Sequence, residues 1–379
     1  MAKKKDVVIP EYDEMAQTIH DSLNKLFKDT GPSAFFLDGS ENTPMDLSSF
    51  VSTGSAMLDL AVSNRKNGGI AVGRITELTG LEGSGKSLVA AAILKSTQQQ
   101  GGIGVLIDTE VATNAEFLVA QGIDLKKLVI VNKETIEDIF DAMTNIVARV
   151  RESDVKDKRL VTIVVDSIAG ATTKRELESD FNITGYATDK SILIGKAMRK
   201  LTMMIGRERI AVVLTNQLRH KMNAMPGSDP YTTSGGKAIA FHSSTRIRLQ
   251  MTSKIKDSSN TVIGITVRAK VDKSRLGPPH RVAVFDVYFN RGMDDHAAWL
   301  EAMVDNKLIK KAGAWYSYTD EISGEETKLQ SKEFKTFLEA DAERRERIYT
   351  KICEASIMKY AQDVDQAQLT RELSVEEDE

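Results

Sequence analysis

The chain has 379 residues, 41% of them hydrophobic and 28% charged, which suits a globular protein of two or three domains. The formal net charge of −3 excludes a globally basic nucleic-acid binder, so any such surface must come from local patches. Cys353 is the only cysteine; an intrachain disulfide is excluded and a reducing cytoplasm is expected. No apolar run approaches the ~20 residues of a membrane span, so no membrane partner is expected. The opening MAKKKDVVIP lacks the apolar centre of a secretory leader.

Met15, Ile19, Leu23, Leu26 and Phe27 recur at helical spacing across residues 11–28. Gly31, Pro32, Gly39 and Pro44 then break the pattern. A helix cut off by such a linker must pack either on its own domain or on a neighbouring subunit, and both stay open. From about residue 46 to 290, strand-like runs alternate with helical ones: GRITELTG, GIGVLIDTE, KLVIVN, LVTIVVDS and RIAVVLTNQ. Apolar strands separated by helices predict a mostly parallel sheet covered on both faces. SSTRIRLQMT, TVIGITVRAKVDKS and RVAVFDVYF alternate more strictly and predict an antiparallel extension. Residues 294–360 read as a small helix-rich appendage. Residues 362–379 hold seven acids and one Arg and read as a disordered acidic tail.

GLEGSGKS, Gly80 to Ser87, fits G-x-x-x-x-G-K-[ST] between a strand and an apolar helix. Gly80, Gly83 and Gly85 let the backbone curl, so that N–H groups of the loop, which includes Leu81, Glu82 and Ser84, face inward. The helix opening through Lys86, Ser87 and Leu88 adds its positive end. Lys86 would reach the β- and γ-phosphates and Ser87 would offer its hydroxyl to Mg²⁺. LVTIVVDS supplies Asp166 after its apolar run, where such a fold needs an acid for the metal, here through water. Asp108 and Glu110 lie two apart in VLIDTE and share a face; either could orient water as the base. Phe117, in NAEFLVAQGI, is the adenine-facing candidate, although its pattern alone reads as core.

Two stretches, 177–188 and 218–237, lack a clear period and read as long functional loops. Arg219 and Lys221 can pair with phosphates, and Gly235 and Gly236 can expose backbone N–H groups to them. Tyr186, Met222, Met225 and Tyr231 can stack or wedge against bases. Residues 237–281 carry ten Lys or Arg against two acids, Asp257 and Asp272. Arg246 with Arg248, and Arg268 with Lys270, recur at period two and predict a positive stripe. The acidic tail would compete for it.

On these motifs the sequence resembles the RecA-type recombinases, bacterial and phage, over residues 11–330. STGSAMLDLA, GRITELTGLEGSGKS, LIDTE, VVDS, AMRKL, TNQLRHKM, TTSGGKAIAF and LIKKAGAWYSY follow in the family's order. The last distinguishes this family from hexameric helicases and circadian-clock ATPases. The resemblance implies that Glu110 is the catalytic glutamate and that Phe117 stacks on adenine rather than in the core. It places Asn114 at a base-contacting position that is often Asp. It makes Gln217 the γ-phosphate sensor that orders the second loop. Lys273 and Arg275, the latter where the bacterial pattern has Lys, would reach the ATP of the adjacent subunit. Residues 177–188 and 218–236 would be DNA-binding loops, with Arg199, Arg219, Lys221, Gly235 and Gly236 on phosphates. Arg246, Arg248, Arg268 and Lys270 would form a secondary site for duplex DNA. Both loops depart from the bacterial pattern: Ala187 stands where Met is frequent and Pro226 where Phe is frequent.

The expected fold is α/β: a RecA-like P-loop ATPase core with a mostly parallel sheet and an antiparallel extension, an N-terminal oligomerisation helix and a small α+β C-terminal domain. Expected boundaries are 1–45 for the helix and linker, 46–292 for the core, 293–361 for the C-terminal domain and 362–379 for the tail. The expected function is a DNA-dependent ATPase that uses ATP and Mg²⁺. It forms a head-to-tail helical filament on single-stranded DNA and exchanges strands with homologous duplex. The setting is a bacterial cytoplasm or phage-infected host, with single-strand-binding and loader proteins as further partners. The rivals are a closed-ring helicase or packaging motor and an ATP-gated scaffold. The AGAWYSY segment argues against the motor; Glu110 and Gln217 argue against the scaffold.

Overall fold

A computed structural model describes residues 12–28, 33–36, 47–152, 159–178, 186–206, 208–221, 225, 227 and 229–359, with the backbone alone at 186–188. The chain divides into two compact units, Met1–Ser48 and Ser49–Glu379. In the first, Glu14–Leu26 forms α1, whose N-terminus is capped by the Asp13 carboxylate accepting from Met15 and Ala16. The apolar stripe is present, yet Met15, Ile19 and Leu26 are exposed.

The second unit opens with β1 (Phe50–Val51), α2 (Ala56–Ser63), β2 (Ile70–Ala71) and β3 (Ile75–Gly80). There follow α3 (Lys86–Gln99), β4 (Ile103–Asp108), α4 (Ala115–Ala120), β5 (Leu128–Asn132), α5 (Ile136–Glu152) and β6 (Val161–Asp166). Next come α6 (Lys174–Leu177), α7 (Tyr186–Ile205), β7 (Ile210–His220), β8 (Tyr231–Thr233) and α8 (Lys237–His242). The antiparallel extension is β9 (Thr245–Lys256), β10 (Val262–Ser274), β11 (Val282–Tyr288) and β12 (Gly292–Asp294).

The main sheet runs β12-β11-β10-β9-β3-β7-β6-β4-β5, with β8 paired to β7. From β9 to β5 every pairing is parallel; from β9 to β12 every pairing is antiparallel. Strand β6 is buried along almost its whole length, as a strand covered on both faces must be. Alternate residues Val105, Ile107, Val161, Ile163, Val165, Val212 and Leu214 pack against α5 and α7. The stripe on α5 is Ile136, Ile139, Phe140, Met143 and Val147, spaced for one helix face. Helix α3 touches β4, β6 and β7 and buries an almost unbroken run from Leu88 to Leu94.

The C-terminal region is α+β. A three-stranded antiparallel sheet, β13 (Lys310–Ala312), β14 (Trp315–Thr319) and β15 (Glu326–Gln330), sits with α9 (His296–Asp305), α10 (Phe334–Glu339) and α11 (Ala342–Ser356). Its core includes Trp299, Met303, Phe334, Leu338, Ile348 and Ile352, and reaches Leu60 of α2. Lys66 bonds Thr350 and Glu346, and the Asn64 amide bonds the backbone of Met358. This region is therefore packed onto the main-sheet core rather than strung from it.

Phe334 is 1% exposed. Phe334→Ala is expected to destabilise the C-terminal core by about 3–5 kcal/mol, the usual cost of a phenyl-sized cavity. Both tryptophans of the sequence, Trp299 and Trp315, lie in this region, so tryptophan fluorescence in a urea titration reads the loss directly. An unchanged midpoint would show that Phe334 does not hold this core.

Candidate functional site

Strand β3 ends at Gly80 and α3 begins at Lys86, so the loop between them lies at the carboxyl end of the parallel strands, where open α/β sheets bind ligands. Gly83 and Gly85 have φ of +68° and +91°, a region that side chains avoid. A Cβ on Gly80 would lie 2.1 Å from Ser84 Oγ. Ser84 Oγ is itself buried without a hydrogen-bond partner, an orphaned polar atom inside the curled loop. Such a cradle fits a polyphosphate. Lys86 Nζ donates to Gly80 O at 3.2 Å and Leu81 O at 2.9 Å. Burial lowers its pKa, while the charges of Asp166, Glu110 and Glu82 oppose that shift, so these carboxylates lie within electrostatic range of the ammonium.

Asp166 ends β6, and its Oδ1 accepts from Thr215 Oγ1 at 2.5 Å. Asp108 is 4% exposed and accepts from the backbone N–H of Glu110 and Thr113. Burial pushes its pKa up, but these backbone donors outweigh it and hold the carboxyl below its ordinary value. Asp108 is thus tied up in shaping the turn. Glu110 is exposed, and its Oε1 accepts from Ser167 Oγ at 2.8 Å. Val111, next in the chain, has φ +51°, a strained value for a β-branched residue.

Asn114 caps α4 by accepting from the Phe117 N–H at 2.7 Å. Phe117 is only half-buried, and Leu118 takes the core position instead. The core pattern read at Phe117 therefore belongs to its neighbour.

The parallel register pairs Gly80 with Gln217. Strand β7 continues past Gln217 through Arg219 and His220 into the second loop. That loop is partly regular, because Leu218–His220 pair with β8 as an antiparallel ladder. Met222 and Pro226 lie outside the described residues, as do most of the first loop and the acidic tail. Tyr186 opens α7 and Ala187 follows it, so the end of the first loop is helical rather than irregular. Lys221 is exposed and its Nζ donates to Asp229 O. Gly235 and Gly236 have φ of +83° and +72°, and a Cβ on them would meet Ile194 at 2.8 Å and Ser191 at 3.0 Å. The glycines are required there because the loop lies directly on α7.

The expected positive stripe is changed by partners the local sequence does not contain. Arg246 bonds Glu77, fully buried on the neighbouring strand, at 2.5 Å; Asn216 bonds the other oxygen of Glu77. Arg248 bonds Asp229 at 2.5 Å and Asp272 at 2.6 Å, and hydrogen bonding to Asp229 raises its pKa. Lys270 lies opposite Arg248 and also reaches Asp272, at 3.5 Å. Arg268, opposite Gln250, is exposed. The stripe therefore keeps its geometry but has much of its charge met within the chain.

Lys273 lies opposite Arg246, and Arg246 opposite Glu77. Gly80 is three residues further along β3, about 10 Å by strand geometry. Lys273 and Arg275 therefore leave the sheet at the end remote from the loop between Gly80 and Lys86. Lys273 Nζ donates to Ala240 O and Phe241 O, both at 2.9 Å. Burial lowers its pKa, with Arg275 and Arg246 adding and Glu77 opposing. Burial lowers the pKa of the nearby His242, and the charges of Arg199, Arg275 and Lys273 lower it further. A cationic cluster stands here; Arg199 belongs to it.

Sequence reasoning missed Ser167, Thr215, Glu77 and Asp229. Ser167 was visible in VVDS, but nothing local marks the other three. Among the described residues no group of His, Cys, Asp and Glu could hold a metal by itself, and no helix is long and apolar enough to cross a membrane.

A family model described as the RecA N-terminal domain matches residues 17–294. Protein RecA of Corynebacterium efficiens is 30% identical over 364 residues, covering 96% of this chain and 89% of the relative. Protein RecA of Clostridioides difficile is 33% identical over 312 residues, covering 82% and 85%. Protein RecA of Chlamydia pneumoniae is 33% identical over 301 residues, covering 79% and 82%.

Proposed function

This chain belongs to the RecA family, and from that premise we propose how its own residues carry out the family's work. It is a recombinase of homologous recombination and DNA repair, acting as a filament on single-stranded DNA that pairs and exchanges strands. Its family is one of DNA-dependent ATPases that depend on nucleotide and magnesium, bind DNA and self-associate.

The nucleotide is held by the loop from Gly80 to Leu88, with Asn114 and Phe117 beside the base. Ser87, and Asp166 through water, hold Mg²⁺, which supplies charge neutralisation on the phosphates when bound. Lys86 adds a fixed positive charge in a site where burial makes that charge count. Glu110, held by Ser167, orients the attacking water and accepts its proton. Lys273 and Arg275 serve the nucleotide of the next protomer. The N-terminal helix packs on that neighbour in a heterologous contact that does not close; its exposed Met15, Ile19 and Leu26 support this. The boundaries 1–45, 46–292, 293–361 and 362–379 describe this division of labour.

Arg199, Arg219, Lys221, Gly235 and Gly236 contact DNA phosphates, while Tyr186 and Met222 contact bases. The secondary duplex site rests chiefly on Arg268, because Arg246, Arg248 and Lys270 each meet an internal carboxylate. Single-strand-binding and loader proteins are proposed from family membership alone.

The observation that carries this reading is the β3–β7 register. It sets Gln217 beside Gly80 on a strand whose far end becomes the loop between Leu218 and Thr233. A change at the phosphate end is thereby transmitted along one rigid strand to the DNA loop. Electron microscopy with single-stranded DNA and a slowly hydrolysed ATP analogue tests it. Open helical filaments are expected; closed rings would overturn the head-to-tail arrangement.

A further inference from the structure

We propose that Lys190 is a positioning residue that couples the DNA-facing cleft to Glu110. The inference rests on the reading that Glu110 orients water and that the two loops hold DNA. A cleft of about 480 Å³ is lined by Gly170, Lys190, Ser191, Arg219, Gly235 and Gly236, the last three from the second loop and its base. Lys190 stands in the first turns of α7, half-buried. It spends its ammonium on two backbone carbonyls, Ala169 O at 3.2 Å and Ala171 O. These carbonyls bracket Gly170.

Gly170 in turn touches the catalytic side. Its N–H donates to Ser167 Oγ at 3.2 Å, and Ser167 Oγ donates to Glu110 Oε1 at 2.8 Å. A Cβ on Gly170 would lie 3.1 Å from both Cγ and Oε1 of Glu110. The backbone of Gly170 is therefore packed against the carboxylate, and a shift of 169–171 must move Glu110 or break its bond to Ser167.

The other end of the path is the DNA-facing surface. The same stretch of α7 carries Ser191 and Ile194, against which Gly236 and Gly235 lie. Burial lowers the Lys190 pKa; Glu176 opposes the shift and Arg219 adds to it, so Arg219, at the base of the second loop, is within its electrostatic range. A phosphate entering the cleft competes with the carbonyls for the ammonium and changes its hold on 169–171. This route is separate from the one through Gln217, which runs along β7.

The test uses the full chain with saturating oligo(dT). In Lys190→Met, which keeps the stem and loses the ammonium, kcat for ATP is expected to fall about tenfold, with KM for ATP and oligo(dT) affinity by anisotropy within about twofold. Lys190→Arg should restore most of the loss, because a cation again reaches the carbonyls. Ser167→Ala cuts the same path one bond from Glu110 and should reproduce the kcat defect; if Lys190→Met fails to fold, Lys190→Gln carries the test, with the same expected fall and the same overturning result. An unchanged kcat in Lys190→Met overturns the proposal. Weaker oligo(dT) binding with unchanged kcat also overturns it and marks Lys190 as a DNA contact. Glu110→Gln separates the two levels. If it keeps normal turnover, the reading of Glu110 itself fails; if it is inactive while Lys190→Met is normal, the coupling alone fails.

Discussion

Lys86→Ala is expected to cut DNA-stimulated ATP turnover by on the order of 10²–10³-fold, the scale on which removing one preorganised charge or donor from a buried site is felt. The ammonium sits at the mouth of the loop from Gly80, held by two of the loop's own carbonyls. Burial already disfavours its charge, and a charge placed in such surroundings acts strongly on an arriving anion. Lys86→Arg should not rescue, because a planar five-donor fork does not replace a compact ammonium beside glycines whose added Cβ atoms would already crowd Ser84 and Val267. Thermal stability should be kept in both variants, since neither loses apolar burial. Turnover within a few-fold of the parent protein in the alanine variant would mean that this loop is not the working site.

The double change Lys273→Ala with Arg275→Ala is expected to leave ATP affinity of the unassembled protein nearly unchanged while lowering DNA-stimulated hydrolysis on the order of 10³-fold, as for loss of a cation supplied in trans. The reason is placement. Both residues leave the sheet at the end remote from Gly80, and a protomer's own pocket keeps Lys86, Ser87, Asp166 and Phe117. Lys273 is held among like charges there, since burial lowers its pKa and Arg275 and Arg246 lower it further. An anion brought by a neighbour relieves that repulsion, which also predicts that filament growth falls together with hydrolysis. Mixing provides the sharper test. Combined in equal amounts with Lys86→Ala, the double variant should regain activity, because roughly a quarter of head-to-tail interfaces then join an intact loop to an intact cation pair. Recovery above the sum of the two separate proteins supports a shared site. Demonstrated co-assembly on DNA without any recovery would sink the trans role.

The sequence by itself determined the features whose chemistry is contiguous. The motif from Gly80 to Ser87 is eight consecutive residues between a strand and a helix, so spacing alone makes a glycine-curled loop, a lysine and a hydroxyl legible. Asp166 was legible as the acid at the end of an apolar strand, and the parallel core and its antiparallel extension were legible from hydrophobic patterning. The tertiary structure decided what depends on partners far along the chain. Asp108 and Glu110 have equal standing in VLIDTE; the turn that follows captures Asp108 with two N–H groups and leaves Glu110 to Ser167. Phe117 and Leu118 are adjacent, and only packing shows which one the core takes. Arg246 and Arg248 look free within their own strand, but register sets Arg246 against Glu77, 169 residues away in sequence, and the fold brings Arg248 to Asp229 of the loop before β8 and to Asp272 of β10. Lys190 carries no local signal at all, because its partners are two carbonyls on another loop. Local chemistry reaches three or four residues along a chain, whereas strand register and helix packing join residues without regard to separation. A cation's role is set by the partner it meets, and that partner is known only once the fold has brought it there.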